Sequence, residues 1–137
     1  MKRLRFRVYD KATHKMWIVG SNPHDCLDFD KDDNVIYRNY QTGETSQSDY
    51  VLMQFTGFYD ENGNRIYIGD IVKYGEHLYE VVEELATPSL VRLDKNYINY
   101  DDFVALYNIA YNMNDVDEYL DCQIVGNIYE NGKLDYE

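Results

Sequence analysis

Residues 58–74, Phe58-Tyr59-Asp60-Glu61-Asn62-Gly63-Asn64-Arg65-Ile66-Tyr67-Ile68-Gly69-Asp70-Ile71-Val72-Lys73-Tyr74, decide the fold. Asn62-Gly63 lies between the apolar pairs Phe58-Tyr59 and Ile66-Tyr67, and both turn residues tolerate the positive φ of a tight hairpin. Gly69-Asp70 then turns the chain directly into Ile71-Val72, glycine permitting the bend and aspartate hydrogen-bonding its own backbone. Such a Gly-Asp turn into an apolar strand is frequent where strands of SH3-like barrels begin. Gly75-Glu76 marks the next tight turn, between Ile71–Tyr74 and Leu78–Val82.

The same period of two extends outward in both directions. Leu4, Phe6 and Val8 alternate with Arg3, Arg5 and Arg7, which predicts a strand with one apolar and one cationic face. The turn Asp10–His14 leads to a return over Met16–Val19. Cys26–Asp30 and Val35–Tyr40 flank the turn formers Lys31-Asp32-Asp33-Asn34. Tyr50–Phe55, Leu90–Leu93 and Gln123–Tyr129 complete the strands. One segment departs from this period: Phe103, Leu106, Tyr107, Ala110, Tyr111 and Met113 form a helical stripe over Asp101–Met113, with Asn99 placed to cap it and Asp101 and Asp102 in its first turn. The expected fold is mostly β, a small barrel or sandwich with one short helix near 101–113.

The chain has 137 residues, 45% hydrophobic and 28% charged, enough for one domain with a buried core. Its 13 basic and 25 acidic side chains leave a net charge of −12, which disfavours non-specific binding to nucleic acid or anionic membrane. The charge is uneven. Residues 1–19 carry six bases against Asp10, while residues 93–137 carry ten acids against Lys95 and Lys133. No apolar run is long enough to cross a bilayer and no secretory leader is legible, so the expected location is the cytoplasm. Two cysteines, Cys26 and Cys122, are expected to be free thiols there.

Three segments, in order, resemble the YopX family. They are Arg5-Phe6-Arg7-Val8-Tyr9-Asp10-Lys11 with Lys15-Met16-Trp17; Val51-Leu52-Met53-Gln54-Phe55-Thr56-Gly57 continuing through Asp60–Gly63 and Ile66–Val72; and Ile124-Val125-Gly126-Asn127-Ile128-Tyr129-Glu130-Asn131. Tyr9 stands where a tryptophan is common, and Gly132 where a proline often stands. The resemblance implies a mostly β fold in one domain over 1–137, with hairpin extensions in 1–50 and a small SH3-like β-barrel core with a helical insertion in 51–137. It also implies a small protein of bacteriophages and prophages, without established activity or catalytic residues. Gly57, Asn62, Gly63, Gly69, Asp70, Gly126 and Asn127 are its structural motif positions.

No constellation of an enzyme is present. Asp28, Asp30 and Asp32 alternate as in a calcium loop, but Asp33 stands where glycine is needed and Asn39 where a bidentate glutamate is needed. Asp60–Asn64 fails likewise, with Arg65 at the glycine position. His24 and Cys26 share a strand face, and His14, His77 and Cys122 complete the soft donors, yet no zinc half-site spacing occurs. No nucleophile elbow or phosphate loop is found. The expectation is no catalysis, no metal and no cofactor. A Cys26 or Cys122 pair with His77 is the arrangement that would revive an enzyme reading.

Two surfaces are expected to bind. Arg3, Arg5 and Arg7, with Lys11, Lys15 and Trp17, could grip phosphate and stack a base; alternatively they pair with the acidic carboxyl-terminal region. Tyr97, Tyr100, Asp101 and Asp102 begin an acidic, tyrosine-rich stretch suited to a basic protein surface. The leading reading is a non-enzymatic accessory protein that acts by protein–protein contact, with itself as a homo-oligomer and with a host or phage protein. A nucleic-acid-binding module on the arginine face is the alternative.

Overall fold

Alternation at the amino-terminal end is realised as a strand in the computed structural model, which describes residues 5–40, 46–84, 87–93, 103–106, 109 and 119–130. The chain forms two compact units, Arg3–Gln54 and a second from Phe55 onward. In the first, β1 (Phe6–Asp10) lies between β2 (Lys15–Ile18) and the opening half of β5 (Tyr50–Tyr59), antiparallel to both. Val8 faces Trp17 on one side and Leu52 on the other, and is fully buried. The β1–β2 turn is built by Asp10, whose carboxylate accepts the Ala12 N–H at 3.0 Å and the Thr13 hydroxyl at 2.7 Å. A separate hairpin pairs β3 (Asp25–Phe29) with β4 (Val35–Asn39). Tyr37 is its buried anchor, with ring centroids 4.9 Å from Tyr50 and 6.1 Å from Trp17.

In the second unit the closing half of β5 pairs with β6 (Arg65–Tyr67), Phe55 opposite Tyr67 and Tyr59 opposite Arg65. Three residues of β5 thus face one of β6. Gly57 lies in this bulge at φ 91°, and the Thr56 hydroxyl bridges it by donating to the Ile66 carbonyl at 2.8 Å. The apolar runs that read as separate strands on either side of Gly57 are therefore one strand.

Beyond β6 a five-stranded antiparallel sheet runs β10-β9-β8-β7-β11, with β7 (Asp70–Tyr74), β8 (His77–Glu84), β9 (Thr87–Arg92), β10 (Phe103–Ala105) and β11 (Gln123–Asn127). Ile66, Val72, Val81, Leu90, Leu106, Ile109, Leu120 and Cys122 form its core. Each such aliphatic side chain contributes roughly 1.5–3 kcal/mol on burial. Among the described residues the pairings end at β10 and β11, so they establish a mostly β sheet and not the closed SH3-like barrel expected.

The start of the predicted helix is a strand. Phe103–Ala105 pairs with Val91–Ser89, and helical backbone occurs at Leu106 and Ile109; the rest of 101–113 lies outside the described residues. The open edge of β9 offers a full row of hydrogen bonds, and an aromatic followed by a β-branched residue fits a strand there as well as a helix. Among the described residues no helix is long and apolar enough to cross a membrane.

Two loops repeat one construction. In Asp30–Asn34 the Asp30 Oδ1 accepts the N–H groups of Asp32 and Asn34, both at 2.9 Å; in Asp60–Asn64 the Asp60 Oδ1 accepts those of Asn62 at 3.0 Å and Asn64 at 2.8 Å. The fourth residue has positive φ in each, 63° at Asp33 and 82° at Gly63. The surroundings differ. Asp60 is 0% exposed, and its Oδ2 also accepts the Ile124 N–H at 3.2 Å, while Glu61 N–H donates to the Cys122 carbonyl and Leu120 N–H to the Tyr59 carbonyl. Asp60 therefore fastens the loop to the start of β11.

At the sheet's other turn, Gly69 has φ 96° and binds on both sides, its N–H to the Val81 carbonyl and its carbonyl to the Ile128 N–H. Asp70 Oδ2 accepts the Tyr67 N–H at 2.8 Å, and Asn127 Oδ1 accepts those of Tyr129 and Glu130. Gly126 lies at the register shift between β11 and β7.

Asp60→Ala removes a fully buried carboxylate that accepts from three backbone N–H groups and is expected to cost roughly 3–5 kcal/mol in urea unfolding. Asp30→Ala, at a solvent-exposed tip, is expected to lose far less. Equal losses would contradict this account of the two loops.

Candidate functional site

The carboxylates of the acidic loops bind their own backbone. A carboxylate oxygen that accepts two backbone N–H groups has both of its lone pairs engaged. Asp30 and Asp60 are in this state. Asp28 accepts the Phe29 N–H and pairs with Arg38 Nε at 2.8 Å. Backbone N–H donation, from Phe29 to Asp28 and from Asn34 to Asp30, is the main reason both carboxyls are held below the ordinary range; Arg38 adds to it at Asp28. Among the described residues no group of three or more His, Cys, Asp or Glu side chains could hold a metal ion.

The histidines are dispersed. His14 Nδ1 lies 2.9 Å from the Tyr9 hydroxyl, His77 Nδ1 lies 2.8 Å from Arg92, and His24 is exposed in the turn before β3. Both cysteines are free thiols, Cys26 half-buried on β3 and Cys122 buried in the other unit's core. Burial, reinforced by the negative charges of Asp60, Glu61, Asp121 and Asp70, pushes the Cys122 thiol up to about 12. A thiol so placed is protonated at neutral pH and is a poor nucleophile.

The cationic face is less open than its sequence suggests. Arg5 and Arg7 are half-buried, and Arg7 Nε points at Met53 Sδ at 3.4 Å. Trp17 does not project as a free stacking platform, because its indole N–H donates to Asp25 Oδ2 at 2.9 Å and its ring packs edge-on against Tyr37. Lys11 and Lys15 are exposed at the β1–β2 turn. Arg3, Tyr97, Tyr100, Asp101 and Asp102 lie outside the described residues.

Of the exposed large hydrophobic side chains among the described residues, Tyr40, Tyr119 and Val125 are scattered and three lie together. Leu27 (37% exposed), Phe29 (65%) and Val35 (37%) share one face of the β3–β4 hairpin, because Phe29 stands opposite Val35 and Leu27 opposite Tyr37. Towards the base this face is buried under Trp17 and Tyr50; towards the tip it is exposed and ends at the acidic turn that holds Asp30, Asp32 and Asp33, with Asp28 on the opposite face. Two residues that position this hairpin had no sequence signal. Asp25, buried, receives the Trp17 indole, and Gln47 grips the Tyr37 backbone from the side, its Oε1 accepting the N–H at 3.3 Å and its Nε2 donating to the carbonyl at 2.7 Å.

Comparison with known proteins gives a family and a fold. A family model described as YopX protein matches residues 5–134. Protein yopX from Bacillus subtilis is similar in crystal structure, with 18% identity and a TM-score of 0.58, over 97% of this chain and 95% of that one. Protein EF1440 from Enterococcus faecalis is similar with 19% identity and a TM-score of 0.53, over 98% and 99%. At such identities the likeness is one of fold. No curated protein matches.

Two outcomes follow from the side-chain chemistry. A thiol reagent at about pH 8 should label Cys26 in the folded chain and Cys122 only after unfolding, and equal rates would refute the burial argument. At Asp10, burial raises the carboxyl, but hydrogen bonds from Thr13 and Ala12 and the His14 charge outweigh it and leave it below 3.8. A lowered carboxyl stabilises the fold above its unfolded value and loses that effect as pH falls through the folded one. The thermal-midpoint gap between the native chain and Asp10→Asn should therefore be present at about pH 6 and shrink below about pH 4.

Proposed function

The chain belongs to the YopX family, and from that premise we propose that it is a non-enzymatic, phage- or prophage-derived accessory protein that works in the bacterial cytoplasm by protein–protein contact. One observation carries this reading: among the described residues the exposed apolar side chains Leu27, Phe29 and Val35 share one hairpin face, while His14, His77, Cys122 and the loop carboxylates are engaged in structure. His14 and His77 have partners, Cys122 is buried and protonated, and the loop carboxylates hold backbone N–H groups. Leu27, Phe29 and Val35 have no such internal role at their exposed surface. An apolar patch that ends at an acidic turn suits a contact made by anchor residues and oriented by charge.

The protein acts as a homo-oligomer and engages one further protein of the host or phage. Nucleic acid is the second reading, supported by Lys11 and Lys15 exposed at the end of a basic segment and opposed by the net charge of −12.

A tagged pull-down from host lysate, with and without nuclease, separates the two. A defined protein retained after nuclease is expected, and recovery abolished by nuclease would transfer the function to the basic segment. Light scattering at micromolar concentration should show more than one copy; a lone 16.3 kDa species would overturn the oligomer.

A further inference from the structure

In an antiparallel pair, residues that face each other either exchange both backbone hydrogen bonds or direct both groups outward, and the two kinds alternate. The β3–β4 hairpin can be phased from its ends. Tyr40 N–H donates to the His24 carbonyl and Asp30 N–H to the Asn34 carbonyl, so the even-numbered residues of β3 point towards β4. The Gln47 side chain confirms this phase independently, since it reaches the Tyr37 N–H and carbonyl from outside the hairpin. Asp25, Leu27 and Phe29, opposite Asn39, Tyr37 and Val35, therefore direct their N–H and carbonyl groups away from β4.

The outward donors of β3 are not equally occupied. Asp25 N–H is taken by the Asn22 carbonyl at 3.2 Å, and Phe29 N–H by Asp28 Oδ1 at 2.8 Å. Among the described residues Leu27 N–H, between them, has no protein acceptor. The two edges of the hairpin are thus unlike: β4 has Gln47 across Tyr37, whereas β3 is bare at the residue facing Tyr37. Solvent-exposed edges are usually protected by lysine, proline, a bulge or a covering segment. Among the described residues β3 has no lysine, proline, bulge or covering segment; its charged side chain Asp28 lies on one face, and Leu27 and Phe29 lie on the other.

We propose that the outer edge of β3 is a strand-addition site, at which an extended basic segment of a partner protein docks beside Leu27. This deepens the protein-contact reading and rests on it. Strand addition obtains affinity from main-chain hydrogen bonds and selectivity from alternate side chains. Here the alternation dictates the partner: apolar side chains against Leu27 and Phe29, basic ones against Asp28 and Asp30. Four acids against Lys31 between Asp28 and Asn34 supply the complementary charge. A second copy of this chain is the wrong occupant, because two acidic tips on chains of net charge −12 repel.

The test uses the full chain, isotopically labelled, and a synthetic octapeptide of alternating lysine and valine. It is compared with the same peptide carrying glutamate for lysine, and with one N-methylated on alternate amides so that one edge cannot pair. The lysine peptide should shift the Leu27 and Phe29 amide signals and slow exchange of the Leu27 amide. The glutamate and N-methylated peptides should bind at least about tenfold more weakly. Leu27→Pro removes the outward donor without breaking a ladder bond, and should weaken the lysine peptide equally. If that variant does not fold, the N-methylated peptide alone decides. Absence of shifts up to about 1 mM, shifts confined to other segments, or unchanged affinity after N-methylation each overturns the site. In the pull-down, a partner still held by Leu27→Pro removes this edge but leaves protein contact standing, whereas no partner with either chain removes both.

Discussion

Carboxylate-to-backbone hydrogen bonding is the interaction on which this structure depends. Short strands joined by tight turns leave many N–H groups without a ladder partner, and each must find an acceptor. Asp10, Asp30, Asp60 and Asp70 provide one at successive turns, and Asn127 does the same after β11. The charge-assisted form of this bond is about twice as strong as a neutral one, which explains why aspartate recurs where serine or asparagine could also cap. Part of the net charge of −12 is therefore structural. Asp60 is the extreme case, because its carboxylate sits wholly inside the protein and holds three N–H groups from two separate segments.

This use of acids bears directly on function. Acidic clusters in a small β protein invite a metal or an acid–base dyad, yet here the oxygens face donors. The same logic removes the thiol: Cys122 is surrounded by core side chains and by negative charge, two influences that both favour the neutral form. The surface differs locally. One end of the β3–β4 hairpin is tied down by Trp17, Tyr50 and Gln47, while the other exposes aromatic and aliphatic side chains beside an acidic turn.

Turns were the most legible part of the sequence. Asn62-Gly63, Gly69-Asp70 and Gly75-Glu76 each announce a bend through the conformations those residues allow, and all three lie where strands reverse. The strands beside them followed from alternation. Legibility failed where a distant partner decides. Phe103–Ala105 has a helical stripe, but the free edge of β9 draws it into the sheet. Gly57 reads as a break, yet β6 and the Thr56 hydroxyl carry β5 through it as a bulge. On the candidate surfaces, the arginine row was legible but its partial burial over Met53 was not. Gln47 and Asp25 gave no local sign at all, since their roles exist only once Tyr37 and Trp17 are brought to them. The open edge at Leu27 depends on the phase of the hairpin, which no residue in β3 encodes alone.

Native-state hydrogen exchange at the Asp60 loop tests the central claim most directly. If the buried carboxylate fastens the loop to β11, the amides of Asn62, Asn64 and Ile124 exchange only with global unfolding, together with those of β7 and β8. Their counterparts Asp32 and Asn34, in the same loop geometry at an exposed tip, exchange by local opening and much faster. Exchange of Asn62, Asn64 and Ile124 as fast as that of Asp32 and Asn34 would contradict the account.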